Sequence, residues 1–213
     1  MKKNLDLKNN ISKDYFSKSS YSKDKIKLNK IISDILTSSN KSNSIFNIFH
    51  KKFDYNFKHS ELLKFTKYKS VILIGMGGSS LGAKAIYSFF KDKIKKNFIF
   101  LDNLDQFKIE TIKKKINLKT SLFIIISKSG NTLETLINSS LFQDKINNKN
   151  TIIITEKKTN ILNTFVKKKK ILHFHHRDYI GGRYSVLSEV GIIPAYFMGL
   201  KVKKFRKNQF NFF

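Results

Sequence analysis

The chain contains no cysteine. Disulfides, thiolate nucleophiles and cysteine-held metals are therefore excluded, and a cytoplasmic setting is expected. Tryptophan is absent and proline occurs once, at Pro194. No proline-rich linker divides the 213 residues, so one domain with flanking segments is expected. No apolar run is long enough to cross a bilayer, and no membrane partner is expected. The opening MKKNLDLKNNISKDYF lacks the apolar core of a signal peptide. Acids are scarce: Asp+Glu number 15 against 42 Lys+Arg, a formal net charge of +27.

Such a charge raises the question of a nucleic-acid partner. The lysines are scattered, however, and no nucleic-acid motif accompanies them. They come with heavy use of Asn, Ile and Phe, which share AT-rich codons with Lys. A biased genome would produce this composition, so nucleic-acid binding is not expected. A general pull on anionic substrates is. The chain is 40% hydrophobic and 13% aromatic, enough for most of it to fold.

The stretch that organises the chain is SVILIGMGGSSLGAKAIYSFF, residues 70–90. Val71 to Ile74 predict a strand. A glycine turn follows, then a helix with Leu81, Ala85 and Phe89 on its apolar face. Strand, glycine loop and helix open a doubly wound α/β sheet. Glycines let backbone N–H groups approach an anion, the helix N-terminus adds unpaired donors, and Ser79 and Ser80 add hydroxyls. Upstream, residues 1–23 predict an extended or partly mobile lead-in, and 25–37 an amphipathic helix with Leu28, Ile31, Ile32 and Ile35 along one side. Downstream, strands are predicted at 97–101, 122–126, 151–155 and 171–174. The helical patterns between them lie at 107–116, around Leu133, Leu136, Ile137 and Leu141, and around Ile161, Leu162, Phe165 and Val166. The fold class is therefore α/β, a doubly wound parallel sheet of about five strands flanked by helices.

A second polar loop, Ser127-Lys128-Ser129-Gly130-Asn131-Thr132, follows the third strand. One such loop would be an ordinary capped turn. Two, at carboxyl ends of strands that can lie side by side, predict a shared phosphate site. Asn131 and Glu134 have capping-box spacing, so Glu134 is expected to cap rather than catalyse. Gly181-Gly182-Arg183-Tyr184-Ser185 sets an arginine beside whatever binds there; its alternative is an arginine paired to a nearby acid. A dinucleotide fold is a rival, with Asp102 as ribose ligand, but Ser80 stands where the third glycine of that fingerprint belongs. His173, His175 and His176 match no zinc spacing and are expected as exposed residues at a strand end, with no metal.

Together, IGMGGSSLGAKAI (74–86), ISKSGNTLET (126–135) and GGRYSVLSEVG (181–191) resemble the glucose-6-phosphate isomerase family, built on sugar isomerase (SIS) domains. The resemblance spans roughly residues 45–200. It divides the chain into a lead-in (1–44), a SIS-type domain (45–200) and a basic, aromatic tail (201–213). It implies aldose–ketose isomerisation of a sugar 6-phosphate through an enediol, without metal or organic cofactor. Gly78, Ser79, Ser127, Lys128, Ser129 and Thr132 then hold the phosphate, and Arg183 stabilises the enediolate. The family's proton-shuttling Glu, ring-opening His and late Lys have no counterpart among these motifs, and Glu189 does not match them. The chain thus resembles the N-terminal part of an isomerase, a homo-oligomer when complete. The alternatives are a non-catalytic SIS-type module that binds a sugar phosphate and a nucleotide-binding oxidoreductase domain.

Overall fold

The computed structural model describes residues 18–50 and 53–202. Residues 1–17 of the predicted lead-in and 203–213 of the predicted tail lie outside the described residues. Five strands form one all-parallel sheet: β1 (Ser70–Ile74), β2 (Asn97–Leu101), β3 (Ser121–Ile126), β4 (Thr151–Thr155) and β5 (Leu172–His175). Their order is β2-β1-β3-β4-β5. The expected doubly wound α/β fold is present. Two helices precede the sheet, α1 (Lys18–Ser39) and α2 (His59–Leu63); one then follows each strand: α3 (Gly78–Phe89), α4 (Gln106–Lys115), α5 (Leu133–Ser140), α6 (Ile161–Lys169) and α7 (Glu189–Phe197).

The central strands β1 and β3 pair in register, Ile74 beside Ile125. Every residue of β3 is buried, as expected for a parallel strand covered on both faces. Side chains alternate across the sheet. Val71 and Leu73 join Leu62, Ala83, Ile86, Ile193 and Phe197 on the face of α2, α3 and α7. Ile72 and Ile74 join Ile109, Ile112, Phe123, Phe142 and Leu162 on the face of α4 and α6. Each strand ends at the same edge of the sheet, so the loops at 75–78, 127–132 and 176–181 share one rim.

Three sequence expectations need correction. Residues 18–23 belong to α1, which begins ahead of the predicted amphipathic segment. On α3 the apolar stripe points outward. Leu81 and Phe89 are 58% and 83% exposed, and Ala85 is exposed too, while Ser80, Ala83 and Ile86 are buried. The reason is close approach: α3 packs against α7 and the turn that precedes it, which admits only small side chains there. The same inversion marks α5. Thr135, Asn138 and Ser139 are buried, whereas Leu133 and Leu141 are exposed. Ser139 satisfies its hydroxyl on the Thr135 carbonyl, and Asn138 reaches the Asn103 carbonyl at 2.9 Å.

The two sides of α3 should therefore differ in energy. Ile86→Ala is expected to cost about 2–5 kcal/mol by cavity formation. Phe89→Ala should stay within about 0.5 kcal/mol of the parent. Urea unfolding of both variants checks which face carries the packing.

Candidate functional site

The first polar loop is short because Gly77 takes φ 51°, a conformation that favours glycine. It delivers the chain directly into α3. No side chain caps α3, and the Ser79 N–H turns back to the Met76 carbonyl at 3.0 Å. Among the described residues, the N–H groups of Gly77 and Gly78 donate to no protein acceptor. Ser79 and Ser80 are both buried, Ser80 completely.

The second loop is knitted by its own hydroxyls. Ser127 Oγ accepts the Gly130 N–H at 3.1 Å and lies 2.8 Å from Thr132 Oγ1. Ser129 Oγ accepts the Asn131 N–H at 3.2 Å. Gly130 has φ 69°, and a Cβ there would fall 2.1 Å from Asn160 Oδ1. The expected Asn131–Glu134 capping box does not form. Thr132 is the N-cap of α5, with its hydroxyl turned to Ser127, and Asn131 Oδ1 instead accepts the Ile161 N–H at 3.0 Å. Tertiary geometry has taken the side chain that local spacing assigned to the helix. The N–H groups of Leu133 and Glu134 are left without a protein acceptor among the described residues.

This produces a contrast between neighbouring helices. Asp105 caps α4 by accepting the Lys108 N–H, and Asn160 caps α6 by accepting the Asn163 N–H. The helices after β1 and β3 carry no side-chain cap. Unpaired N–H groups and the helix dipole make such ends receptive to an anion. Because β1 and β3 are adjacent, the two open ends are adjacent too.

The third motif packs onto the first. A Cβ built on Gly78 would lie 2.2 Å from the Gly182 carbonyl carbon and 2.7 Å from the Arg183 nitrogen. The buried Ser185 hydroxyl lies 2.6 Å from the Gly182 carbonyl oxygen and 3.4 Å from that of Gly78. Arg183 is exposed, with its guanidinium carbon 5.0 Å from the Tyr184 ring centroid. It makes no ion pair among the described residues. The alternative of a structural arginine held by an acid therefore does not apply to it. Lys128 spans from the second loop toward the third, donating to the Asp178 carbonyl at 2.7 Å and standing 3.5 Å from Glu156.

That alternative does describe Arg177, which the sequence did not single out. Its guanidinium stacks 4.4 Å from the Phe53 ring centroid and faces the buried Glu189 carboxylate at 3.5 Å. It also donates to the Asp54 carbonyl and the Tyr179 hydroxyl. Glu189 accepts the Asn56 N–H at 2.9 Å, so the pair fastens residues 53–57 to the start of α7. A lone acid inside the apolar run Val186 to Ala195 was the available signal. Asp102, the rival ribose ligand, is held by Lys84 at 2.6 Å and Lys108 at 3.7 Å. Burial pushes its carboxyl up, but the Lys84 hydrogen bond and both ammonium charges outweigh this and keep its pKa low.

The histidines are not exposed as expected. His176 is 1% exposed, and His173 and His175 are partly covered. Burial lowers the pKa of all three below the ordinary value of 6.5. His176 Nδ1 lies 3.2 Å from the Arg177 carbonyl, and its Nε2 has no partner among the described residues. The folded state therefore takes up fewer protons than the unfolded chain once pH falls below about 6.5, and stability drops with pH in that window. His176→Gln should flatten this drop between about pH 6.5 and 5. Urea midpoints measured across that range check it.

The chain is similar to proteins of one kind. A family model described as phosphoglucose isomerase matches residues 29–207, extending upstream of the motifs. The glucose-6-phosphate isomerase of Borreliella burgdorferi (strain ZS7) is 40% identical over 157 residues, 65% of this chain and 29% of that protein. That of Methanocaldococcus jannaschii is 39% identical over 142 residues, 64% of this chain and 35% of that protein. This chain thus spans about a third of the length of these relatives. Among solved structures, a hypothetical protein of Thermus thermophilus superposes with TM-score 0.70 at 23% identity, over 85% of this chain and 46% of that one. A glucose-6-phosphate isomerase from Chlamydia trachomatis gives TM-score 0.59 at 24% identity, over 73% of this chain and 34% of that one. The structural likenesses establish the fold, and the family match over most of the sequence establishes the kinship: this chain belongs to the phosphoglucose isomerase family.

Proposed function

We propose that this chain is the phosphosugar-binding part of a glucose-6-phosphate isomerase. The carrying observation is the pair of uncapped helix ends after β1 and β3, with the backbone at Arg183, which makes no ion pair among the described residues, packed on the start of α3. The phosphate of glucose 6-phosphate or fructose 6-phosphate lies between them. Ser127, Ser129 and Thr132 supply hydroxyl donors, and the backbone at Gly78 and Ser79 closes from the first loop. Lys128 contributes its charge; it donates to the Asp178 carbonyl at 2.7 Å and stands in an ion pair with Glu156 at 3.5 Å, which leaves further donors for the phosphate.

The sugar carbons then lie toward Arg183. A guanidinium there stabilises the negative charge that develops when a proton leaves the carbon beside the carbonyl. Arg183 stays protonated and cannot itself remove that proton. The hydroxyls are equally unsuited, so none of the assigned groups is a general base. The complete enzyme, a homo-oligomer, supplies that base from outside the groups described above, and no cofactor is required. A non-catalytic module that only binds the sugar phosphate uses the same groups.

Two measurements test this account. Calorimetric titration with fructose 6-phosphate should give at least about tenfold weaker binding for Ser127→Ala/Thr132→Ala, since each hydrogen bond to a charged group is worth about 1.5–3 kcal/mol. Unchanged affinity removes the loop from the site. A coupled isomerase assay on the purified chain should show no useful turnover, because positioned acid–base catalysis is worth about 10²–10⁴-fold. Robust turnover would require a base among Glu189 and His173 to His176.

A further inference from the structure

A continuous chain of contacts joins the Arg177–Glu189 pair to Lys128 of the second polar loop. Arg177 opens a turn that is closed by the Ile180 N–H, which donates to the Arg177 carbonyl at 3.2 Å. The next carbonyl of that turn, Asp178, accepts from Lys128 Nζ at 2.7 Å. The Asp178 carboxylate accepts the Tyr179 N–H at 2.9 Å, so the turn is also bonded within itself. Its attachment to the rest of the fold runs through the buried Ile180 and the Arg177 side chain.

That side chain reaches two other segments. It faces the buried Glu189 carboxylate at 3.5 Å, stacks 4.4 Å from the Phe53 ring centroid and donates to the Asp54 carbonyl. The same strap, residues 53–57, is tied on both sides of the turn. Asn56 Nδ2 donates to the His175 carbonyl at 2.6 Å, the Asn56 N–H to Glu189 at 2.9 Å, and the Tyr55 hydroxyl to the Leu187 carbonyl at 3.3 Å. Strap, turn and the start of α7 thus form one closed network with Arg177 inside it.

A buried ion pair adds little stability over apolar residues of similar volume. Its effect here is positional. Lysine carries its charge on a flexible stem, and immobilising such a stem on binding costs affinity. The Lys128 ammonium is already held at the Asp178 carbonyl and beside Glu156, so little of that cost remains when an anion arrives. A shift of the 177–180 turn would withdraw the carbonyl and return the ammonium to solvent. We propose that Arg177, held by Glu189, is a positioning residue for the phosphosugar site: it fixes the 177–180 turn and, through the Asp178 carbonyl, sets Lys128 against the phosphate. This rests on the reading of the rim as a phosphosugar site. Arg177 acts through Lys128 and not on the phosphate itself.

The test replaces both partners, Arg177→Met/Glu189→Gln, so that no charge is buried alone. The glutamine carboxamide oxygen can still accept the Asn56 N–H. In the ligand-free chain the Lys128 ε-methylene NMR resonances, assigned by their loss in Lys128→Met, should move toward those of exposed lysines. Calorimetric titration with fructose 6-phosphate should show about fivefold or greater loss of affinity in the parent background. In a Lys128→Met background the same pair of changes should cost less than about twofold, because the effect passes through Lys128. Arg177→Lys keeps a charge against Glu189 but not the planar fork, so it should show the same effects in smaller degree, and it gives these readings if the double variant does not fold. Unmoved Lys128 resonances overturn the proposal. So does an equal loss of affinity in both backgrounds, which marks a general effect on the fold. A parent chain that does not bind fructose 6-phosphate removes the phosphosugar reading instead, and the ligand-free resonances then decide whether Arg177 positions Lys128.

Discussion

No side chain fits on Gly78 where it faces Gly182. The backbones of the first loop and the arginine turn meet there, so close that a methyl on Gly78 would overlap main-chain atoms of Gly182 and Arg183. That contact sets where Arg183 leaves the chain relative to the start of α3. Ser185 reinforces it with a hydroxyl lying between both carbonyls, and Ser188 caps α7 directly behind. Parallel pairing of β1 with β3 supplies the other coordinate, fixing the second loop beside the first. The rim is thus assembled from main-chain contacts that lock it before any ligand arrives. Preorganised donors of this kind lose little to reorganisation when charge develops.

The electrostatics of the rim follow from what is withheld. Helix ends elsewhere on the sheet are closed by Asp105 and Asn160. At the rim, Thr132 faces Ser127 instead of its helix, and Asn131 is drawn off to Ile161. Two sets of N–H donors stay available as a result. Acids near the rim are already engaged: Glu156 by Lys128 and Lys158, and Glu189 by Arg177 and the Asn56 N–H. Their charges are neutralised locally, while Arg183, its backbone against the start of α3, makes no ion pair among the described residues.

Much of this was legible in the sequence. The strands at 97–101 and 151–155 keep their predicted bounds, because short runs of aromatic or β-branched residues bounded by polar ones leave little choice. The three motifs and their order marked the rim. Helix faces were not legible. Leu81, Ala85 and Phe89 have helical spacing, but on α3 spacing cannot say which stripe faces the sheet when the buried one is made of Ser80, Ala83 and Ile86. The capping box failed for a related reason, since Asn131 answered a partner 30 residues away. Glu189 stood out as a lone acid in an apolar run, but its pairing with Arg177 was hidden because pairing across the fold leaves no local pattern. The burial of His176 was equally hidden, since it depends on neighbours remote in the sequence.

The central claim is that the open ends of α3 and α5 receive one phosphate. Backbone amide NMR with added fructose 6-phosphate tests it most directly, because each donor reports separately. The account predicts the largest saturable shifts at the N–H groups of Gly77, Gly78, Leu133 and Glu134, moving together with one affinity. Shifts centred on the capped starts of α4 or α6, with these four N–H groups unmoved, would contradict it.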